Sequence, residues 1–416
     1  MGGLIRCVVE AGRSGDWLNS RRVVVYCTIL LIFEALTLLF FIAGMHGWIV
    51  PLDMPVTTDF ASFYAAGDLT DSGMPQAAYD VVQHYAAEQR LTEPGVGYVI
   101  FVYPPVFLLL CALLAKLPYV LSFVVFEVGS LIPCALVLKQ ILKERSWAVF
   151  IPILAFPATM INAGEGQNAF ITAALFGGAT LLVDRRPVLA GVLFGALFYK
   201  PHFGLLIPVA LLVGGRWRTA LAAAAAVMGL VLLSGTMLGW DSWRAFLTAF
   251  TASRDLYESG KVDFAAYVTP FGALRLVGVS PPVAYALQTT ATIMAAMLVA
   301  LVWRKHLSLP LRAATLVSGT LIAVPLALFY DLMLAGVALA WVVRLGREDG
   351  FLPWERLLLI VAFMAPALAR GFGMMLHVPF GLVPSTILIV LCVAHARREL
   401  ENRAAMAPAA SRFLTA

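Results

Sequence analysis

Long apolar runs alternate with short polar turns along almost the whole chain. The runs fall at 23–43, 103–117, 119–138, 147–162, 166–183, 187–199, 202–214, 219–239, 283–303, 310–329, 332–343, 357–376 and 380–395, thirteen candidate segments in all. Most are uniformly apolar and longer than the alternating strands of a membrane barrel, so the pattern predicts an all-α polytopic membrane protein. Several are shorter than the ~20 residues of a straight span and need tilt or protein-lined surroundings. Two longer polar stretches interrupt the series, at about 44–100 and about 240–282. In the first, DFASFYAAGDLT and YDVVQHYAAEQRL space aromatics and alanines by three and four, which predicts amphipathic helices along the membrane surface.

Composition agrees with this pattern. Hydrophobic residues make up 61% of the chain and charged residues 13%, at a mean hydropathy of +0.88. A soluble protein of 416 residues needs more charge to cover its surface. The formal charge of +5 is concentrated in turns between runs and does not form a nucleic-acid patch. The five cysteines, Cys7, Cys27, Cys111, Cys134 and Cys392, have no metal or redox spacing and read as small core residues. The N-terminal run is too long for the apolar core of a signal peptide, so it is expected to remain as the first span.

Charge distribution gives the topology. The acidic stretch holds Asp53, Asp59, Asp68, Asp71, Asp80, Glu88 and Glu93 against Arg90 alone, as expected of an outer loop. The basic turns at 139–146, 184–186, 216–218, 304–306 and 344–356, with both termini, belong inside by the same rule. Both termini inside requires an even number of spans. The run 103–117, with its Tyr103-Pro104-Pro105 start, is therefore read as re-entrant, leaving about twelve spans. One transmembrane domain is expected over 1–400, with a cytoplasmic tail at 401–416. No strong internal repeat suggests an inverted-repeat transporter.

This walk gathers polar groups at the outer end. Asp59 follows the first span and reads either as a general base or as a helix N-cap. Glu165, Gln167 and Asn168 sit at a break between two runs, where amides either satisfy freed backbone groups or bind sugar hydroxyls. Lys200, followed by Pro201 and His202, reads as a phosphate-binding cation or as a snorkelling lysine; His202 is a further hydrogen-bonding candidate. Asp331 interrupts an apolar stretch and is read as a partner for Lys200 or a substrate ligand. Arg254, in the second loop beside Asp255, Glu258 and Lys261, is a candidate second phosphate contact or one charge of an exposed helix. Tyr103 is expected to shape the cavity.

In order, the motifs are TDF after the first span, YPP before a short apolar segment, G-x-G-Q-N, D-R-R-P-x-x-A-G-x-x-x-G followed by K-P, then R-W-R and F-Y-D-L. Together they resemble glycosyltransferase family 87 over about residues 50–345, the polyprenyl-phosphate-mannose-dependent α-mannosyltransferase-like membrane proteins of GT-C fold. The resemblance implies an enzyme of the plasma or inner membrane, facing the periplasm or cell exterior. Such an enzyme takes a sugar from a polyprenyl-phosphate donor, inverts the anomeric centre, and passes the sugar to a lipid or glycan acceptor. It needs no nucleotide sugar and generally no metal, and hence no cofactor. Carried over, Asp59 corresponds to the base, Gln167 and Asn168 to the amide motif, Lys200 to the lysine of K-P, and Asp331 to the late acid. Some members carry a histidine in that late motif, where this chain has Phe329 and Tyr330 before Asp331. A multi-span transporter or lipid-linked sugar flippase is the alternative, and a non-catalytic scaffold, with these polar groups scattered, is a third.

Overall fold

The computed structural model describes residues 2–44, 58–258 and 262–413. The side chains of 254–258 lie outside the described ones, so the expectations for Arg254, Asp255 and Glu258 go with them, as does that for Lys261. Helix accounts for about 80% of the described residues, which form no strand.

Two N-terminal helices, α1 (Gly2–Ser14) and α2 (Ser20–Ala43), come first. The acidic stretch contributes α3 (Phe60–Asp71) and α4 (Val81–Leu91). Then come α5 (Pro105–Ala115), α6 (Tyr119–Ile141), α7 (Phe150–Leu154), α8 (Pro157–Glu165), α9 (Ala169–Leu182) and α10 (Pro187–Ala196). After α11 (Ile207–Val213) and α12 (Trp217–Leu238), the second polar stretch forms α13 (Trp240–Glu258) and α14 (Pro270–Leu276). The last helices are α15 (Pro281–Arg304), α16 (Leu309–Ala323), α17 (Met333–Asp349), α18 (Glu355–Leu376) and α19 (Val383–Phe413).

Among the described residues, seven helices are long and apolar enough to cross a membrane. The pair Trp147–Leu154 and Pro157–Glu165, bent by 65°, makes an eighth if it is one broken span. The shorter apolar helices are Pro105–Ala115, Ala169–Leu182, Pro187–Tyr199, Pro201–Val213 and Leu309–Ala323. The first four lie in runs that fall short of full span length in the sequence; Leu309–Ala323 lies in the full-length run 310–329, whereas the short runs 332–343 and 380–395 belong to the long helices Phe329–Asp349 and Phe380–Met406.

Burial sorts the helices. The stretch Phe329–Asp349 is 83% buried and Ser20–Ala43 only 6%, so α17 forms the centre and α2 stands at the periphery. Around α17 pack α16, α9 and α19, in a core that includes Trp341, Phe176, Leu316 and Leu388. The outer faces of α12 and α15 stay apolar, with Leu221, Met228, Met237, Met294 and Met297 exposed. Helices that are apolar on the outside as well as the inside suit lipid rather than water. Small residues set the tightest contact in this outer layer. A Cβ on Gly191 or Gly195 of α10 would meet backbone of α12, at 2.4 Å from the Thr219 oxygen and 2.7 Å from the Ala223 oxygen respectively. Glycines four apart thus let two helices close to backbone contact in the absence of a hydrophobic drive between them.

The polar turns collect at one end. Asp184 pairs with both Arg216 and Arg312, Lys143 with Glu348, Arg347 with Glu144, and Arg356 with Asp16. Arg403 of α19 donates to the carbonyls of Lys305 and His306. The basic turns, α1 and the C-terminal helix therefore share one face. Helix α19 continues through 401–413.

One reading of the acidic stretch needs revision. Helix α3 is buried on nearly all sides, from Phe60 through Thr70, and so does not lie on a membrane surface as an amphipathic helix. Its alanines and Gly67 let it sink against α5, and Phe60 and Phe63 reach the aromatic cluster of Tyr103, Phe107, Tyr119, Phe123 and Phe126. Helix α4 keeps a more exposed side, with Val81 and Val82 outward.

Candidate active site

Three chain breaks and the start of α3 meet at the end opposite the basic turns. The first break joins α8 to α9. Gly166 closes α8 in the left-handed conformation at φ +67°, and a Cβ there would lie 2.8 Å from Phe60 Cβ and 3.0 Å from Phe123. Only glycine meets both demands. The tight approach lets the Asp59 amide donate to the Glu165 carbonyl at 2.7 Å. Gly166→Ala is expected to push the start of α3 away and to cut turnover by about tenfold or more, since small misplacements of reacting groups are costly. Steady-state kinetics of a variant that still expresses in the membrane would check this, and unchanged turnover would show that the approach is dispensable.

Asp59 is not a helix cap. Its backbone is already helical, at φ −60° and ψ −19°, and its side chain makes no capping bond. Instead Asp59 Oδ2 accepts from Gln167 Nε2 at 2.7 Å. Gln167 Oε1 accepts in turn from the Tyr103 hydroxyl at 3.3 Å and from the Asn168 amide at 3.2 Å, so the glutamine is fixed in one orientation. The carboxyl is partly buried. Burial raises it above the ordinary carboxylate range, offset by the Gln167 hydrogen bond and by the positive charges of Lys200 and Arg370. A carboxylate of raised basicity, held by one donor, is suited to take a proton from a hydroxyl.

Asn168 opens α9, but its side chain makes no capping bond there. That task belongs to Asn162, whose Oδ1 accepts from the Ala169 amide at 2.9 Å. Asn168 is fully buried and both its side-chain atoms lack a protein hydrogen bond of ordinary geometry. The Tyr199 hydroxyl donates to its carbonyl at 3.1 Å, which holds the residue in place.

Lys200 occupies the second break. Pro201 forbids continuation of the helix, and Lys200 itself is non-helical, at φ −127° and ψ 73°. Its ammonium donates to Asp331 Oδ1 at 2.8 Å, and each side chain of the pair is 5% exposed. Asp331 is thus the ion-pair partner of Lys200 in this structure. Asp331 Oδ2 accepts from the Leu328 amide at 3.1 Å, and the Tyr330, Phe203 and Tyr103 rings surround the ammonium at 5.1, 5.8 and 5.9 Å. Lys200 is therefore not a snorkelling lysine. The neighbouring His202 is half-buried, with its ring 4.4 Å from that of Phe203.

The third break separates α16 from α17. Its extended backbone pairs with the second polar stretch: Val268 N donates to Ala327 O at 3.0 Å and Thr269 Oγ1 to Pro325 O at 3.0 Å. Beside it stands Arg370 of α18, 3.6 Å from Glu165 Oε1 and 3.7 Å from Asp263 Oδ2, with its guanidinium 5.0 Å from the Phe329 ring centre. Neither Arg370 nor Asp263 stands out among the sequence candidates. The available signal was an arginine inside the apolar run 357–376, a costly placement that marks a functional or paired group.

The structure thus brings Asp59, Glu165, Gln167, Tyr103, Asn168, Lys200 and Asp331 into one neighbourhood, with His202 at its edge. Among the described residues no cluster of three or more His, Cys, Asp or Glu could hold a metal ion. A cavity of about 1160 Å³ lies elsewhere, between α2 and the body, lined by residues such as Phe33, Phe156 and Phe363. It contains none of the candidate site residues, so the chemistry is located by side-chain geometry rather than by volume.

A model of glycosyltransferase family 87 matches residues 101–328, more than half of the chain. The chain belongs to glycosyltransferase family 87. No curated protein and no solved structure matches it. As a family 87 member it is a glycosyltransferase with membrane helices. Tyr103, Glu165, Gln167, Asn168, Lys200 and His202 fall inside the matched segment. Asp59, Asp331 and Arg370 fall outside it and join the same cluster only in three dimensions.

Behind Asp59, the family 87 chain buries a second pair of titratable groups. His84 Nε2 lies 3.1 Å from the Ser62 carbonyl, and its Nδ1 lies 3.6 Å from Glu88 Oε1. Burial pushes Glu88 up to about 8, partly countered by the Val99 amide and reinforced by the charge of Asp59. Burial also lowers His84 to about 4, so near neutrality the acid holds its proton and the imidazole is uncharged. A carboxyl raised in the fold favours folding fully below its ordinary value of 4.5, and that contribution is lost as pH climbs to about 8. His84, lowered from 6.5 to about 4, opposes this fall below pH 6.5, so Glu88→Gln is expected to flatten the fall in thermal stability between pH 6.5 and pH 8. Melting curves across that range check it, and parallel curves for the two proteins would contradict it.

Proposed function

We propose that this protein transfers a hexose, mannose in the first instance, from a polyprenyl-phosphate donor to a lipid or glycan acceptor. The observation that carries the reading is the Asp59 carboxylate, oriented by Gln167 at 2.7 Å and set beside the buried Lys200–Asp331 pair. The acceptor hydroxyl attacks the anomeric carbon, the carbon–oxygen bond to phosphate breaks with its electrons going to the phosphate, and the proton passes to Asp59. One displacement inverts the anomeric centre. Asn168 and Gln167 offer amides to sugar hydroxyls, Tyr103 and His202 border the donor, and Lys200 faces its phosphate.

The arrangement favours a GT-C-like membrane enzyme of about twelve spans, in which the bent pair and four of the short helices complete the set and α5 is re-entrant. With the basic turns inside, both termini are cytoplasmic and the site opens to the periplasm or exterior of the plasma or inner membrane. Purified protein in lipid nanodiscs should be offered polyprenyl-phosphate hexoses and nucleotide hexoses in parallel, with lipid acceptors. Transfer from the polyprenyl donors alone supports the reading. Transfer from nucleotide sugars, or movement of lipid-linked sugar across the bilayer without transfer, would replace it.

A further inference from the structure

We infer that Arg370 is a catalytic residue that takes the negative charge developing on the donor's leaving phosphate. The inference rests on the transfer reaction proposed above. A polyprenyl-phosphate sugar is a phosphodiester with one negative charge, and it leaves as a phosphate monoester that gains a second as Asp59 removes the acceptor proton. Some group in the site must meet that second charge.

Lys200 is poorly placed to do so alone. Its charge is already balanced by Asp331 at 2.8 Å, and both members of the pair are buried. Withdrawing the ammonium would strand a carboxylate, which costs far more than an exposed pair would. Arg370 is in the opposite situation. Its side chain is 46% exposed, and its carboxylate neighbours, Glu165 and Asp263, stand at 3.6 and 3.7 Å, beyond hydrogen-bond distance. Its guanidinium lies over the ring of Phe329, two residues before Asp331, at 5.0 Å from the ring centre. Its charge is also felt by Asp59. A planar, permanently charged fork with loosely held partners can exchange them for two phosphate oxygens.

The bland alternative is a tether: Arg370 would only tie α18 to the 262–267 segment and to the end of α8. The two roles separate experimentally. Arg370→Gln, Arg370→Lys and the double variant Glu165→Gln/Asp263→Asn should be prepared in nanodiscs. Each should be assayed for steady-state transfer and for binding of geranylgeranyl monophosphate, a short polyprenyl phosphate. If Arg370 meets the leaving phosphate, Arg370→Gln lowers kcat at least about 100-fold. The same change weakens geranylgeranyl monophosphate binding about tenfold or more, with the acceptor KM unchanged, as expected for a lost charge-assisted pair. Arg370→Lys recovers part of both, and the double variant keeps monophosphate affinity. Unchanged monophosphate affinity in Arg370→Gln, or equal loss in the double variant, would overturn the assignment. Failure of the wild-type protein to transfer from any polyprenyl-phosphate sugar is a different outcome: it removes the transfer reading, and Arg370 with it.

Discussion

Asp59→Asn is expected to cut transfer by roughly 10²–10⁴-fold while leaving the protein folded. The amide keeps the volume of the carboxyl and one acceptor oxygen for Gln167, whose Nε2 lies 2.7 Å away, so the packing of α3 should survive. What is lost is the proton acceptor. General-base contributions are typically ~10²–10⁴-fold, and the fall in kcat should lie in that range with little change in donor KM. The raised basicity of the carboxyl adds a signature: wild-type kcat/KM should fall on the acid side at a pH above that of an ordinary aspartate. The variant's residual activity should lack that limb. Melting temperature and size-exclusion profile, measured beside kinetics, separate loss of chemistry from loss of fold. Retention of full activity would remove Asp59 from the reaction.

Lys200→Met has the second large effect, and it falls on stability as well as activity. The substitution keeps the aliphatic stem among Tyr103, Phe203 and Tyr330 but leaves Asp331 buried with its charge uncompensated. Breaking a buried pair by removing one member typically costs ~3–5 kcal/mol. The double variant Lys200→Met/Asp331→Asn removes the stranded charge, so it should recover much of that stability while remaining inactive. A double-mutant cycle on melting temperature measures the coupling between the two. Additive losses would mean that the pair is not coupled in the membrane. Recovery of activity together with stability would mean that Lys200 only holds the fold.

The two residues show what can be read along the chain and what cannot. Lys200 and Asp331 announce themselves because each interrupts an apolar run, where a charge needs a reason. Their pairing is not legible locally, because 131 positions separate them and only the fold brings them together. Asp59 shows the reverse difficulty. An aspartate directly before a helix reads equally well as a cap, and what decides against the cap is the helical backbone at Asp59 itself. That backbone follows from the close approach of Phe60 to Gly166, a contact no local pattern encodes.

The same limit explains the misread helix. Aromatics and alanines at three- and four-residue spacing suit either a surface helix or one buried on all sides. In α3 Phe60 and Phe63 meet rings of α5 and α6, Gly67 closes on the α5 backbone at Cys111, and Ala65 packs with Ala77 and Ala87, so little besides Asp68 and Asp71 is left for water. Arg370 is a single charge inside an apolar run, and its meaning comes from Glu165 and Asp263 on two other elements. Span number is legible only in part. Length and composition mark seven helices, while the short ones gain their place from packing, α9 and α16 on α17, α10 on α12 and α5 on α3, and from the breaks at which the site is built.

The most direct test of the central claim is a structure of the protein in nanodiscs with a non-hydrolysable polyprenyl-phosphate-sugar analogue. The account predicts the sugar beside Gln167 and Asn168, and its phosphate between Lys200 and Arg370. The Asp59 carboxylate should lie within ~2.6–3.2 Å of the position of an attacking hydroxyl on the face opposite the phosphate. A headgroup bound at the basic-turn end, or in the apolar cavity beside α2, would contradict it.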